Sequence, residues 1–228
     1  MAEELPSICD AAETPAGASR RLPVYVVDAD DKVRASCETL LGSLGYPVRG
    51  FASSRAFLAA VDVATPGCAI LDVGVPGIDG LALQQQLQNA HSPLAIVFLT
   101  GRNDVPTAVD AMRHGAFDYL VKPARAQQLI DSVNRALRRT QADAEQLQAR
   151  RVVEARLARL TVRERDVLRE IVGGDSYRVI AGRLDVSPRT LEAHRKRIMT
   201  KMGSRSLPEL LHALAKAGWY DAGPAAVP

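Results

Sequence analysis

No stretch of this sequence carries the roughly 18 consecutive apolar residues that a helix needs to cross a bilayer, which excludes a transmembrane span. The segment from Met1 to Arg21 has acids early and no apolar core, so it does not read as a secretory signal. Cysteine is scarce. Cys9, Cys37 and Cys68 are odd in number and widely spaced, with neither a metal-ligand pattern nor a disulfide framework. They are expected to be buried or incidental thiols, which suits a reducing cytoplasm. No strongly amphipathic basic helix with bulky aromatics is present, so a membrane surface is excluded as a destination for the basic residues. From Ala124 to Leu160 there is neither glycine nor proline, and nothing breaks a helical pattern.

What is present is ordinary globular composition, 47% hydrophobic and 24% charged, in 228 residues, enough for two modest domains and a connector. Residues 1–22 and 221–228 are rich in Ala, Pro and Gly and are expected to be disordered. The net charge of +3 is uneven. From Arg156 to Asp221, 14 Lys and Arg stand against 8 Asp and Glu, a net of +6, and the remainder carries −3. A basic C-terminal end is the electrostatic footprint of a phosphate-rich partner.

That end has the parts of a helix-turn-helix in order. Thr161 and Glu164 form a capping box, followed by Val167, Leu168, Ile171 and Val172 on one helical face. Gly173-Gly174 stops the helix. A short second helix, Tyr177 to Leu184, turns Ile180, Ala181 and Leu184 inward. After the turn at Asp185-Val186, Ser187 suits an N-cap and Pro188 a first helical position. The helix from Pro188 to Met202 has Leu191, Ile198 and Met202 for a core and a basic outer face, and a fourth helix is expected from Ser206 to Ala217. A dry stripe opposite a basic face suits a DNA major groove. Glu192, Ala193 and Lys196 are placed to approach base edges. Arg189, Thr190, His194, Arg197 and Lys201 are placed nearer phosphates or the helix base, and His194 has the alternative of packing beside Leu191 and Ile198.

In residues 23–138, short apolar runs alternate with amphipathic stretches. The runs are Val24 to Val27, Pro47 to Phe51, Cys68 to Leu71, Ala95 to Leu99 and Phe117 to Val121. Five strands alternating with five helices predict a doubly wound α/β fold with a five-stranded parallel sheet. Ligands bind such sheets at the carboxyl ends of the strands. Asp28, Asp30 and Asp31 follow the first run, Asp72 the third, Thr100 the fourth and Lys122 the fifth. Clustered carboxylates with a hydroxyl and a lysine suit an aspartyl nucleophile, a divalent cation and a phosphoryl group.

Two resemblances follow. The segments Leu160-Thr161-x-Arg163-Glu164, Ile180-Ala181-x-x-Leu184-x-Val186-Ser187 and Arg189-Thr190-Leu191-Glu192-x-His194 resemble the LuxR-type four-helix DNA-binding domain over about 60 residues, with Tyr177-Arg178-Val179 where that family usually has Asn-Lys-Glu. The order Asp28, Asp72, Thr100, Lys122-Pro123, with Pro76, Asp79 and Gly80 after the central acid, resembles a response-regulator receiver domain over about 115 residues. Together they resemble the FixJ/NarL class. The resemblance implies that Asp72 is the phosphoacceptor, that Asp28, Asp72 and the Gly74 carbonyl hold Mg²⁺, that Thr100 and Tyr119 form a switch pair, and that Lys122 salt-bridges the phosphoryl group.

Three positions depart from the receiver pattern. Ala29 stands where a second acid usually ligates Mg²⁺, leaving Asp30 as a substitute if the loop shifts. Ala124 replaces an aromatic, and Gly74 leaves the pocket open. The expected domains are a receiver at 23–138, a helical linker at 139–158 and a reader at 159–220. Along the helical stretch from Ala124 to about Leu160, Ile130, Val133, Leu137, Ala144 and Leu147 lie near heptad spacing. This leaves two readings, a dimerising helix or a solvated tether over residues 141–159.

The expected function is cytoplasmic transcription regulation, with a sensor histidine kinase, double-stranded DNA and RNA polymerase as partners. Activation would pair two copies through Val105, Val109, Met112 and Tyr119. Two alternatives stand beside it: a pseudo-receiver controlled without phosphate because of Ala29, and a metal-dependent phosphatase using Asp72.

Overall fold

The computed structural model describes residues 21–219. Cys9 and the expectations of disorder for the two ends lie largely outside them.

The first half folds as predicted into an α/β doubly wound sheet. Strands β1 (Val24–Val27), β2 (Val48–Phe51), β3 (Gly67–Leu71), β4 (Leu94–Thr100) and β5 (Asp118–Val121) alternate with helices α1 (Asp31–Ser43), α2 (Ser54–Ala60), α3 (Gly80–Asn89), α4 (Val105–Arg113) and α5 (Ala126–Leu157). The sheet order is β2-β1-β3-β4-β5, with all four pairings parallel. Helices cover both faces, which is why β1 and β3 read as unbroken apolar runs. Tyr25 and Val27 enter one core with Phe57, Leu71, Leu83 and Phe98. Their neighbours Val24 and Val26 enter the other, with Leu41, Ile70, Val97, Leu129 and Val133.

Helix α4 is held lightly. Ala111 is its one buried residue, while Val105, Val109 and Met112 are exposed by 74%, 42% and 46%. Its C-terminal end is fastened by Gln84 of α3, whose side-chain amide donates to the carbonyls of Ala111 and His114.

The second half is all helical: α6 (Val162–Val172), α7 (Tyr177–Arg183), α8 (Pro188–Met202) and α9 (Leu207–Lys216). The capping box at Thr161 and Glu164 forms, and Ser187 caps α8 through the Thr190 amide. Asp185, at φ 52°, takes the left-handed conformation that turns α7 into α8. Val167, Leu168, Ile180, Leu191, Ile198, Met202, Leu210 and Leu214 make the core.

Helix α5 serves both halves. Leu129, Val133, Ala136, Leu137 and Thr140 are buried on the sheet side, then no residue is buried until Val153, which belongs to the second core. Arg156 donates to the Met202 carbonyl and so ties the end of α5 to α8. The intervening stretch is solvent-exposed and carries the i,i+4 pairs Arg139–Asp143 and Arg150–Glu154.

Candidate functional site

The sheet topology delivers the acids to one place. Asp28 follows β1 and Asp72 follows β3, its neighbour, while Thr100 ends β4 and Lys122 follows β5. Lys122 Nζ donates to Asp28 Oδ2 and, at 3.1 Å, to Asp72 Oδ2. Asp28 is buried, Asp72 partly so. Burial pushes the Asp72 carboxyl up. The Thr100 hydroxyl, the Gly74 amide and the Lys122 ammonium more than offset it and hold Asp72 below the usual carboxylate range. Burial opposes charge on Lys122 too, but the two carboxylates raise its affinity for the proton above the ordinary lysine value. Asp72 is therefore an ionised, partly buried carboxylate beside a fixed cation.

The glycines near Asp72 have different reasons. A Cβ on Gly80 would lie 2.3 Å from the Asp72 carbonyl oxygen, so only glycine lets α3 start directly against the β3–α3 loop. A Cβ on Gly74 would be 3.9 Å from Asp72 Oδ2, an ordinary contact, so this position is open space beside the acid. Ala124 lines a largely apolar cavity of about 560 Å³ with Val33, Cys37, Leu40, Leu99 and Leu129. Cys37 and Cys68 are buried free thiols. Burial pushes them up to about 11 and about 12, which leaves them protonated and unreactive at neutral pH.

The Ala29 side chain contributes no donor oxygen. Asp30 has one carboxylate oxygen engaged elsewhere: Oδ1 accepts from the Lys32 amide as the N-cap of α1, and the Asp30 amide donates to Asp28 Oδ1. The oxygens facing the pocket are thus the carboxylates of Asp28 and Asp72, with the Gly74 main chain beside them. This hard donor set fits a Mg²⁺ ion, with one carboxylate fewer and more positions left to water. Sequence reasoning missed Arg34, whose guanidinium donates to the Asp28 carbonyl at 2.6 Å and pairs with Asp31.

Tyr119 packs its ring 5.8 Å from that of Phe98, and its hydroxyl donates to the Arg102 carbonyl in the β4–α4 loop. It is half-buried. The Thr100 hydroxyl meanwhile accepts from the Arg102 amide. Both members of the predicted switch pair therefore touch the same loop residue.

On the far domain, Arg189, Ala193, Lys196 and Arg197 lie exposed on α8, and the three basic residues form no ion pair among the described residues. Thr190 has its hydroxyl 2.8 Å from that of Ser187, within the cap. His194 is half-buried, and its Nδ1 is buried without a hydrogen-bond partner among the described residues. Two charged residues of the predicted set have charged partners within the protein. Glu192 is clasped by Arg195, one turn on. Lys201 Nζ lies 2.6 Å from Glu164 Oε2, a carboxylate 3% exposed.

Comparison with known proteins agrees with both halves. Residues 24–134 match the response regulator receiver domain, and residues 158–214 match the bacterial regulatory proteins of the luxR family. The transcriptional regulatory protein FixJ of Bradyrhizobium diazoefficiens is 39% identical over 198 residues, 87% of this chain and 97% of that one. FixJ of Azorhizobium caulinodans is 43% identical over 197 residues, 86% of this chain and 93% of that one. The response regulator StyR superposes with a TM-score of 0.74 at 35% identity, covering 86% of this chain and 99% of that one. Full-length FixJ from B. japonicum gives a TM-score of 0.56 at 38% identity, with 88% and 99% covered. The chain belongs to the two-component response regulators that join a receiver domain to a LuxR-type DNA-binding domain and act as transcription regulators.

Proposed function

We propose that Asp72 is the phosphoacceptor of this regulator, that a partner histidine kinase is its donor, and that phosphorylation pairs two copies so that two readers engage DNA. The observation that carries the reading is the Asp72 carboxylate, ionised and partly buried, with Lys122 at 3.1 Å and Thr100 at the adjoining strand end. An Asp72 oxygen attacks the phosphorus of a phosphohistidine. The new P–O bond forms as the P–N bond breaks, and the imidazole leaves. Lys122 neutralises the phosphoryl oxygens and Thr100 donates to one of them. Asp28, Asp72 and the Gly74 carbonyl are the groups to hold Mg²⁺, whose charge offsets repulsion between carboxylate and phosphate.

Thr100 moving toward the phosphoryl group weakens its contact with Arg102, the residue that also holds the Tyr119 hydroxyl. A lightly packed α4 is the element such a change can shift. Its exposed Val105, Val109 and Met112, with Tyr119, form the dimer face. On α8, Lys196 and Glu192 read bases beside Ala193, while Arg189 and Arg197 take phosphates. RNA polymerase is the further partner of a cytoplasmic regulator of this kind. The pocket works as a switch without turnover of its own, and the receiver, linker and reader divide near residues 138 and 158.

Mass spectrometry after acetyl phosphate or kinase treatment, with and without Mg²⁺, tests the proposal. A Mg²⁺-dependent phosphoryl adduct on Asp72, lost in Asp72→Asn, is expected. An adduct on neither protein would favour the second reading, a pseudo-receiver controlled by protein contacts, which Ala29 supports.

A further inference from the structure

Tyr177 opens α7, where the family usually has asparagine, and it is 40% exposed. An exposed aromatic on the shorter helix of a reader has no core to fill. Its ring instead lies under Arg195 of α8, with the guanidinium carbon 5.8 Å from the ring centroid, within cation–π range. Arg195 in turn holds Glu192, one turn back on α8. Its Nε donates to both carboxylate oxygens at 3.1 Å, and a terminal nitrogen donates to Oε1 at 2.9 Å. The three side chains form a chain of contacts from the first residue of α7 to the residue of α8 assigned to base reading.

This matters because an exposed glutamate on a helix is otherwise free to sample several rotamers. A carboxylate offers about four acceptor sites, so the three donations from Arg195 do not exhaust it. Arg195 also cancels the repulsion between Glu192 and DNA phosphates. Neither Tyr177 nor Arg195 need touch a base to do so.

We propose that Tyr177 and Arg195 are positioning residues for DNA specificity: the aromatic platform fixes Arg195, and Arg195 fixes and neutralises Glu192 for reading a single base pair. The proposal rests on α8 entering the major groove as described above. It places part of the specificity of this regulator in a contact between α7 and α8 that the family's usual asparagine cannot make.

The test uses the full chain and a duplex that the wild-type chain selects from a random-sequence library. Discrimination is measured as the ratio of affinities for that duplex and each single-base-pair variant of it. Glu192→Gln should relax preference at one base pair. Tyr177→Ala and Arg195→Ala should each relax the same base pair, by roughly two- to fivefold for the loss of an exposed cation–π contact. The salt dependence should stay close to that of wild type in Tyr177→Ala. Tyr177→Phe, which keeps the ring, should retain wild-type discrimination. In Tyr177→Ala/Glu192→Gln the relaxation should not exceed that of Glu192→Gln alone.

Uniform weakening on all duplexes in Tyr177→Ala would overturn the proposal and make Tyr177 a backbone contact or a fold determinant. Equal loss in Tyr177→Phe would overturn the aromatic platform by assigning the hold on Arg195 to the Tyr177 hydroxyl. If neither Glu192→Gln nor Lys196→Ala changes preference at any base pair, the placement of α8 fails and the proposal fails with it. If Lys196→Ala relaxes a base pair and Glu192→Gln does not, only the proposal falls.

Discussion

Lys201 separates two roles that a basic residue on a reading helix can have. By sequence it belongs with the phosphate contacts. In the structure its ammonium meets Glu164, whose carboxylate also accepts from the Thr161 amide at 2.8 Å. The carboxylate is 3% exposed and the ammonium side chain 32%. Lys201→Met keeps the aliphatic stem and leaves that carboxylate without its counter-charge. Breaking a fully buried pair costs about 3–5 kcal/mol. Water can reach this site from the lysine side, so a loss of about 1–3 kcal/mol is expected. For a reader of this size each kcal/mol lowers Tm by about 4–8 °C.

Fluorescence can follow this domain selectively, since Trp219 is the chain's single tryptophan and packs against the second core. The acid limb gives an independent check. Burial pushes Glu164 up, but Lys201 and the amide and hydroxyl of Thr161 outweigh it and hold the folded carboxyl below its ordinary value. A depressed folded pKa contributes stability above the unfolded value, near 4.5, and that contribution is lost as pH falls through the folded value. The gap between wild type and Lys201→Met should therefore be full at neutral pH and narrow as pH falls below the unfolded value. Glu164→Gln/Lys201→Met should be less unstable than Lys201→Met alone. The salt slope of DNA binding should stay near the wild-type slope. A variant of unchanged Tm whose slope flattens by about one unit would refute the reasoning and return Lys201 to the phosphates.

Ala29→Asp should tighten Mg²⁺ binding, because it restores a carboxylate oxygen to a pocket beside which Asp30 is held by its cap on α1; calorimetric titration of both proteins checks this, and equal affinities would mean that water or Asp30 already fills the position. Val109→Asp and Met112→Asp should suppress the growth of dimer that phosphorylation brings, read by sedimentation, while leaving the phosphoryl adduct on Asp72 intact; a dimer of undiminished strength would shift the interface to another face. Arg197→Ala should weaken binding to all duplexes and lower the salt slope by about one, whereas Lys196→Ala should cost about 1–3 kcal/mol at one base pair. Equal losses on specific and scrambled duplexes for Lys196→Ala would rotate α8 by part of a turn.

The acid pocket was legible in the sequence because parallel α/β topology leaves little choice: the residue after each strand must lie at one edge of the sheet, whatever the helices do. The caps were legible for a similar local reason, since Thr161 with Glu164 and Ser187 with Pro188 carry their partners within one turn. Contacts between helices were harder to read. Glu192 and Arg195 are three apart and so could be paired on spacing alone. That Arg195 also lies over Tyr177 depends on how α7 crosses α8, which no local pattern contains. Lys201 did leave a trace. It stands three residues after Ile198 and ten after Leu191, both core positions, which sets it at the edge of the dry stripe and not on the open face. Asp30 left one too: two residues before the Lys32 amide, at the start of a helix, a carboxylate serves the cap before it serves a metal.

The two readings of the connector rest on the same stretch of α5, and burial along the helix distinguishes what each requires. The sheet holds α5 through Thr140 and the second core holds it from Val153, so the twelve residues between them have water on most sides. Twelve residues of α-helix span about 18 Å. An isolated helix of that length is marginal in water. This one is continued at both ends by turns locked into cores, so it has nucleation already made, and i,i+4 pairs support it along the way. With no glycine or proline between Ala126 and Leu157, α5 has no residue that favours a bend. It is therefore a spacer whose length is fixed while it stays helical. Leu147 and Val152, exposed by 50% and 38%, are the large apolar groups it shows to solvent there. Two such side chains, interrupted by Arg150 and Arg151, make a seam far shorter than the three or four heptads on which a stable coiled coil depends. The apolar surface that α5 exposes is thus smaller than that of α4, where Val105, Val109 and Met112 lie exposed within two turns of one another, so α4 is the better candidate for the proposed pairing.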